Sequence, residues 1–479
     1  MRPIPEHLYR FRSTHALLDG HQELESQQIY FCPPDQLNDP LEGFKDIFWR
    51  GDHIVWRNLL RHYLLNLMQT VSVSAIMGQE FKPGLCAIFA HQTEEDLPQA
   101  PIREIYSTAC QEFFANSAIN HLINVLSSQP RAVRRDELLF YLRLIQPLAI
   151  SNVLSALRQH GLPVMQTTSA LDTMISNMNR QLGQIQHAFA LEAEMSDDLF
   201  SSSEKLQSQL NLLHEFNNPV ADNRRSLLFI FRDFPSYYVV ALERLIYPEW
   251  HAACFAANPS NASMWGVYGD GHRGICLKFK TLADNNIKIP TLNLYRIYSW
   301  SGGKEGVIEN YQYVPHPFQE IRYTADFPEI DFFESIATLP LSKLNSFWFA
   351  GQNGERSATA SRMLREDETW RQEYWQKFAA SYSTKSPEWE HEEEYRLILQ
   401  SNLQRFDDPE SRKLKYRFAD LSGIIFGIKT TTEDKLRIMR IIERKCRNEG
   451  RQDFEFYQAH YSNRTKTIEV ARLSLLEVK

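Results

Sequence analysis

Two spacings of apolar residues alternate along the chain. Residues 1 to about 45 read as strand, short helix, strand and the start of a helix. In "HLYRFRS", Tyr9 and Phe11 fall on one face and Arg10 and Arg12 on the other. "HALLDGHQELES" is a short helix broken at Gly20, and "IYFC" is a second strand stopped by Pro33 and Pro34. From about 46 to 245 the spacing becomes helical, and only two glycines, Gly161 and Gly183, lie between Gln92 and Leu245. Leu171, Ile175, Met178, Leu182, Ile185 and Phe189 step by four and three in turn, which is a heptad seam. After the polar stretch "EMSDDLFSSSE", Leu206, Leu210 and Leu213 continue the same spacing. The spacing predicts at least one long antiparallel helical hairpin. Its seam packs within the chain or against a second copy through residues 171–189.

Strand signals return after about 250. "HAACFAA", "GICLKFK", "NLYRIYSW", "YQYVP", "EYRLIL", "GIIFGI", "FEFYQAHY" and "TIEVARL" are short, β-branched or aromatic, and bounded by turn residues. Helices are expected between them at about 330–350, 368–383 and 432–448. Two N-terminal strands do not hold alone, so they are expected to pair with this later set. The plan is an α+β domain made of 1–45 and 250–479, split by an α-helical insertion over 46–249.

Composition narrows the function classes. A chain of 479 residues exceeds one ordinary core. Its net charge of −7 argues against a surface built mainly to grip phosphate backbones. "MRPIPEHLYRF" has no apolar leader region, and no uninterrupted apolar run approaches the ~20 residues that span a bilayer. The six cysteines are scattered without a C-x-x-C pair, as in a reducing compartment. A cytoplasmic protein with no membrane segment is expected. No H-E-x-x-H, G-x-S-x-G, Walker or kinase motif is present, and the histidines are too dispersed to mark a metal site.

Four stretches carry candidate chemistry. In "IYFCPPDQLNDPLEGF", Asp39 reads as the N-cap of a helix, Pro40 as its first residue and Glu42 as the capping-box partner, with Asn38 in the turn before. In "NASMWGVYGDGHRGICLKF", Trp265 and Tyr268 share one side of a short helix, and His272 lies in a glycine-rich turn. Such turns approach anions and aromatic faces stack on planar rings, but the same pair also suits a core. In "SPEWEHEEEYRLILQ", Glu392, Glu394 and Arg396 share one face of a strand. Carboxylates are depleted in strands, so this face is either a solvated edge or a Glu-x-Glu pair aimed into a cleft. "KLRIMRIIERKCRNEGR" is a basic helix with a buried stripe of Leu436, Met439, Ile442 and Cys446.

"LYRFRS", "IYFCPPDQLNDPLE", "MWGVYGDGHRGICLKF" and "WEHEEEYRLIL" occur in this order, and the chain resembles the bacterial family called domain of unknown function 2971 over about 45 N-terminal residues and most of 250–430. The helical insertion lies outside that resemblance, and the family implies no activity. A second resemblance is to ADP-ribosyltransferase-like toxins, in the order of a first strand with Tyr-Arg, a short helix, a strand near "IYF" and a late Glu-x-Glu strand. The Ser-Thr-Ser strand motif of one transferase class is replaced here by "IYFCPP". This resemblance implies an ADP-ribosyltransferase-like mixed or antiparallel sheet domain and NAD as the molecule consumed. Arg10 would hold NAD, with Tyr9, Asn38, Asp39 and Arg396 also in the binding set. Tyr30, Trp265 or Tyr268 would stack on its nicotinamide. Glu394 would be the catalytic carboxylate, assisted by Glu392, Tyr268 and His272, because departure of nicotinamide leaves positive charge on the ribose.

The expected function is therefore an NAD-dependent ADP-ribosyltransferase-like enzyme, a toxin or anti-phage defence effector. It would modify a protein or nucleic-acid acceptor and meet a neutralising partner through the helical lobe. Two alternatives stand beside it. One is a non-catalytic nucleotide- or protein-binding module. The other is a metal-dependent nuclease built on Asp39, Glu42, Glu392 and His272.

Overall fold

The computed structural model describes residues 5–98, 100–128, 131–162, 164, 169–184, 193–217, 225–283, 289–303, 306–359, 361–364, 367–401 and 404–475. The chain is mixed α+β with a large curled mixed sheet. It divides into a sheet unit, Met1–Phe44 with Glu249–Phe327 and Ala379–Lys479, and a helical unit, Lys45–Pro248 with Pro328–Phe378.

The sheet unit contains β1 (His7–Arg12), β2 (Gln28–Tyr30), β3 (Trp250–Ala256), β4 (Ile275–Lys280), β5 (Pro290–Gly303), β6 (Gly306–Glu320), β7 (Glu394–Gln400), β8 (Lys413–Tyr416), β9 (Leu421–Phe426), β10 (Glu455–Tyr461) and β11 (Ile468–Arg472). Their order is β11-β10-β9-β4-β1-β3-β7-β6-β5-β8-β2. Every pairing on this path is antiparallel except β9 with β10. β1 pairs along its whole length with β4 but meets β3 only at Tyr9–Ala256. Beyond that point Cys32 takes over the edge of β3, exchanging two 2.8 Å backbone hydrogen bonds with Ala252. The sheet therefore curls, its last strand returning to its middle.

The central strands β3 and β7 are buried almost throughout, the charged Glu394 and Arg396 of β7 included. One face packs Leu8, Phe255, Leu277, Phe279 and Leu397 with Ile438, Ile442 and Cys446 of the helix Thr432–Glu449. The buried stripe of that helix thus runs through Ile438 rather than Leu436, which is exposed. Part of its basic face is neutralised, with Arg437 on Asp19 and Arg444 on Glu25.

In the helical unit, His53–Met77, Ala100–Ala115, Ser117–Ser128 and Arg135–Gln159 supply most of the core. Arg135–Gln159 is long and apolar enough to cross a membrane by length and composition, yet 67% of its apolar window is buried by the chain itself. Leu171, Met178 and Leu182 of the seam are buried against Ser117–Ser128 and Arg135–Gln159. Ile175, between them on the seam, is half-buried. Ile185 and Phe189 lie outside the described residues.

Two sequence expectations are corrected. Residues 328–378 belong with the helical unit, because Glu329–Asp331 pairs in parallel with Asp46–Trp49 and the Asn58 amide donates to Trp348 O and Ala350 O at 3.0 Å. No helix begins at Asp39: the chain turns there, forms the strand Asp46–Trp49, and enters its helix at His53 under an Asp52 cap.

Candidate functional site

The acidic segment of the sheet unit does not begin as a strand. Pro387–Glu392 is a 3₁₀ turn, Glu393 adopts a left-handed φ of 47°, and only then does β7 start. This reversal leaves Glu393 exposed and brings Glu392 and Glu394 to one buried cluster. Glu42 joins them from the other end of the sequence. Asp39 Oδ1 accepts the Leu41 N–H at 2.9 Å and Asp39 O accepts that of Glu42 at 3.0 Å, closing a tight turn that aims Glu42 inward.

Arg396 sits at the centre with no exposure. Its Nε and Nη2 donate to Glu394 at 2.7 and 2.9 Å, its Nη1 and Nη2 donate to Glu42 at 2.7 and 2.6 Å, and Nη1 also reaches Tyr382 O at 3.1 Å. All five guanidinium N–H groups are thereby used. Lys385, held by the parallel pairing of Thr384–Lys385 with Arg322–Tyr323, donates to Glu392 at 2.6 Å and Glu394 at 3.2 Å and lies 3.5 Å from Glu42. Tyr268 Oη donates to the other oxygen of Glu392 at 2.7 Å.

Three carboxylates thus meet two cations, a net formal charge of −1, with every side chain 4% exposed or less. Burial alone would raise the Glu394 pKa, but the charge and hydrogen bonds of Arg396, with Lys385, hold it down to about 2. Burial and then Glu392 push the Tyr268 phenol well up. Removing ions from water costs several kcal/mol each, and a buried pair often does no better than apolar packing. So much desolvated charge in a cavity wall marks a candidate functional site.

That cavity, of about 220 Å³, is lined in part from "LYRFRS", "IYFCPPDQLNDPLE", "MWGVYGDGHRGICLKF" and "WEHEEEYRLIL". Tyr9, Arg10 and Arg12 come from β1, Cys32, Asn38 and Glu42 from the following turns, Met264 from the short helix Ala262–Val267 and Tyr268 from its C-cap, and Glu392 and Glu394 from the acidic segment. Asn261 caps that helix by accepting the Ser263 N–H at 2.9 Å, which turns Met264 and Tyr268 to the cavity and Trp265 away from it.

No family model, curated protein or solved structure matches the chain.

The expected residues divide on geometry. Arg10 lines the cavity, but its Nη1 and Nη2 already donate to Cys254 O (3.2 Å) and Tyr30 O (3.1 Å), plugging the gap where β1 leaves β3. Its Nε–H is buried without an acceptor among the described residues. Arg396 has no donor left for a ligand. Trp265 is a core residue, unexposed, edge-on to Phe11 at 5.0 Å, with its indole N–H on Pro259 O. Tyr30 lies outside the cavity wall against His21. Asp39 is spent on the turn and on the Ser386 N–H at 3.3 Å.

His272 lines a separate pocket with Lys429 and Tyr461, so the four residues of the nuclease reading do not share a site. The glycine-rich turn packs rather than cradles: a Cβ on Gly274 would sit 2.4 Å from Arg12 O. Lys385 escaped the sequence reading. Its only signal was position, one residue before the acidic segment on which it acts.

Proposed function

We propose that the sheet unit is a nucleotide-binding domain whose reaction is NAD-dependent ADP-ribosyl transfer, and that the chain belongs to the domain of unknown function 2971 family. One observation carries both readings: the four ordered sequence boxes, far apart in the chain, supply part of the wall of a single cavity. Glu392 is the carboxylate we assign to the ribose. Each of its oxygens accepts one hydrogen bond, from Tyr268 or Lys385, and retains a lone pair for a ligand hydroxyl. Glu394, with both oxygens on Arg396 and one shared with Lys385, positions the cluster instead.

About 220 Å³ is below the roughly 300–1,000 Å³ of drug-sized sites. The cavity would therefore take the nicotinamide–ribose half of NAD against Tyr9, Met264 and Tyr268. The Arg10 Nε–H would meet an oxygen of that half, and the remainder would lie outside. As nicotinamide leaves, the Glu392 carboxylate would stabilise positive charge growing on the ribose. The proposed setting is a cytoplasmic toxin or defence effector with a macromolecular acceptor, the helical unit recognising a target or a neutralising partner.

The experiment is incubation of the purified chain with labelled NAD, with and without cell lysate, following nicotinamide release and label transfer. The wild type is expected to do both and Glu392→Gln neither. A folded wild type that neither binds nor consumes NAD would overturn the enzyme reading. A second reading, a non-catalytic binding module, is favoured by the saturation of Arg396 and by the inward commitment of Glu42 and Glu394. NAD binding without turnover would select it.

A further inference from the structure

The β5–β6 hairpin crosses the sheet in register from Thr291–Pro317 to Gly303–Gly306, with a bulge between Ile297 and Ser299. β6 pairs with β7 only from Phe318 to Glu320. Where the two strands part, a second cavity of about 370 Å³ opens, lined by Arg296, Trp300, Tyr311, His316, Gln400 and Phe406 among others. Arg296 is the cation in this wall. Its Nη1 donates to His316 Nδ1 at 2.9 Å, and His316 Nε2 donates to Ile398 O at 2.8 Å. A carbonyl can only accept, so His316 is the neutral tautomer with its proton on Nε2. Burial, then the nearby Arg296 charge, holds its pKa down to about 4.

His316 therefore orients Arg296 without countering its charge. Among the described residues Arg296 has no ion pair, and one of its five N–H groups has a protein acceptor. Other guanidinium groups packed into this unit are answered: Arg396 by two glutamates, Arg12 by Glu23, and Arg10 by two backbone carbonyls. A half-desolvated cation with an open fork favours an anion, which a planar guanidinium takes with two hydrogen bonds.

The neighbouring groups define what the anion carries. Trp300 and Tyr311 share the cavity wall and are each 45% exposed. Tyr311 is steadied by stacking on Tyr295 at 5.8 Å and 24°. Two open aromatic faces beside a free guanidinium suit a planar ring attached to a negative group. We infer that this cavity is a second ligand site, for an anion bearing a planar aromatic ring, the chemistry of a nucleoside monophosphate either free or at the end of a single strand. Its volume falls within the usual range of small-molecule sites. The inference does not depend on NAD or on the first cavity.

The test is calorimetric titration of the full chain with AMP, adenosine and inorganic phosphate, and with a short 5′-phosphorylated oligonucleotide and its dephosphorylated form. AMP should bind more tightly than either of its halves. Arg296→Gln should weaken it by about 10–100-fold, the loss of a charged hydrogen-bonded contact. Trp300→Ala should bring AMP affinity toward that of phosphate alone, and Glu392→Gln should leave it unchanged. If Arg296→Gln fails to fold by circular dichroism, Trp300→Ala and Tyr311→Ala carry the same test on half-exposed rings. An oligonucleotide that binds more tightly than AMP, and only when phosphorylated, assigns the site to a strand end; equal affinity assigns it to the free nucleotide. The inference fails if wild type binds neither AMP nor the phosphorylated strand, if Arg296→Gln and Trp300→Ala both bind as wild type does, or if binding is lost with Glu392→Gln instead.

Discussion

Arg396 and Glu42, 354 residues apart in sequence, close on each other in a two-pronged ion pair with neither side chain more than 2% exposed. The pair ties the N-terminal segment to β7. Removing Glu42 leaves Arg396 paired with Glu394 but strips two of its buried N–H groups of their charged acceptor, which costs on the order of 3 kcal/mol. Glu42→Ala is therefore expected to lower the urea-unfolding free energy by that amount, and Glu42→Asp to restore little, its side chain being one carbon shorter. A change below about 0.5 kcal/mol would show that solvent reaches the pair.

Acid should weaken the protein in two windows. Glu394 is held at about 2 against a usual 4.5. A depressed carboxyl contributes stability above its unfolded pKa, and that stability is lost as pH falls from about 4.5 through 2. The loss is on the order of 3 kcal/mol. His62, buried in the helical unit, is lowered from 6.5 to about 4, chiefly by burial. Its contribution has the same sign and disappears between those values, because the unfolded chain takes up the proton first. Melting temperatures from pH 7 to 2 should show both losses, and Glu394→Gln should be less stable at pH 7 but flatter below 4.5. Parallel acid limbs for the two proteins would contradict the assignment.

What could be read from the sequence was local. Period-two runs located the long strands because alternation records the pleat directly, and the helices near 368–383 and 432–448 were legible in the same way. Asp39 misled because Asx turns and helix caps use the same residues in the same spacing. Trp265 misled because an i, i+3 aromatic pair does not say which ring meets the core. Lys385 and the burial of Arg396 were not legible, since both depend on a meeting of Glu42 with β7 that no short-range pattern encodes.

The true cap offers a direct check. Asp52 Oδ1 accepts the N–H groups of Ile54 and Val55 at 3.0 and 3.2 Å, and its Oδ2 accepts the Ser357 hydroxyl at 2.7 Å and the Ala358 N–H at 2.9 Å. Asp52→Ala should cost at least the ~0.5–2 kcal/mol of a lost cap. Asp52→Ser should recover only the helix-end share, because one hydroxyl cannot serve both sides. Full recovery in thermal melts would mean that the 357–358 contacts contribute nothing.

The seam can be tested against the exposed helix face. Met178 and Leu182 are buried in the helical unit, whereas Leu206 and Leu210 are at least half exposed. Met178→Asp and Leu182→Asp should therefore unfold the helical unit at unchanged mass, since each buries an unpaired charge. Leu206→Asp and Leu210→Asp should stay within about 0.5 kcal/mol of wild type. Circular dichroism with light scattering distinguishes the two. A Leu182→Asp chain that stays folded but changes mass would place the seam at an interface.

The last prediction separates reaction from architecture at the proposed site. Tyr268→Phe removes one hydrogen bond to Glu392 and keeps the ring, so ligand contact should survive while the carboxylate loses its orientation. Glu392→Gln keeps both shape and position but removes the charge that a developing cation needs. If Glu392 acts in the transition state, its exchange should lower kcat by roughly 10²–10³ with little change in KM for NAD. Tyr268→Phe should lower kcat by less, and the smaller loss marks it as a positioning residue. Glu394→Gln should fall mainly on stability, because Arg396 then loses the charge of its nearest carboxylate. The reverse pattern, with Glu394→Gln stable but inactive and Glu392→Gln active, would return the reacting role to Glu394.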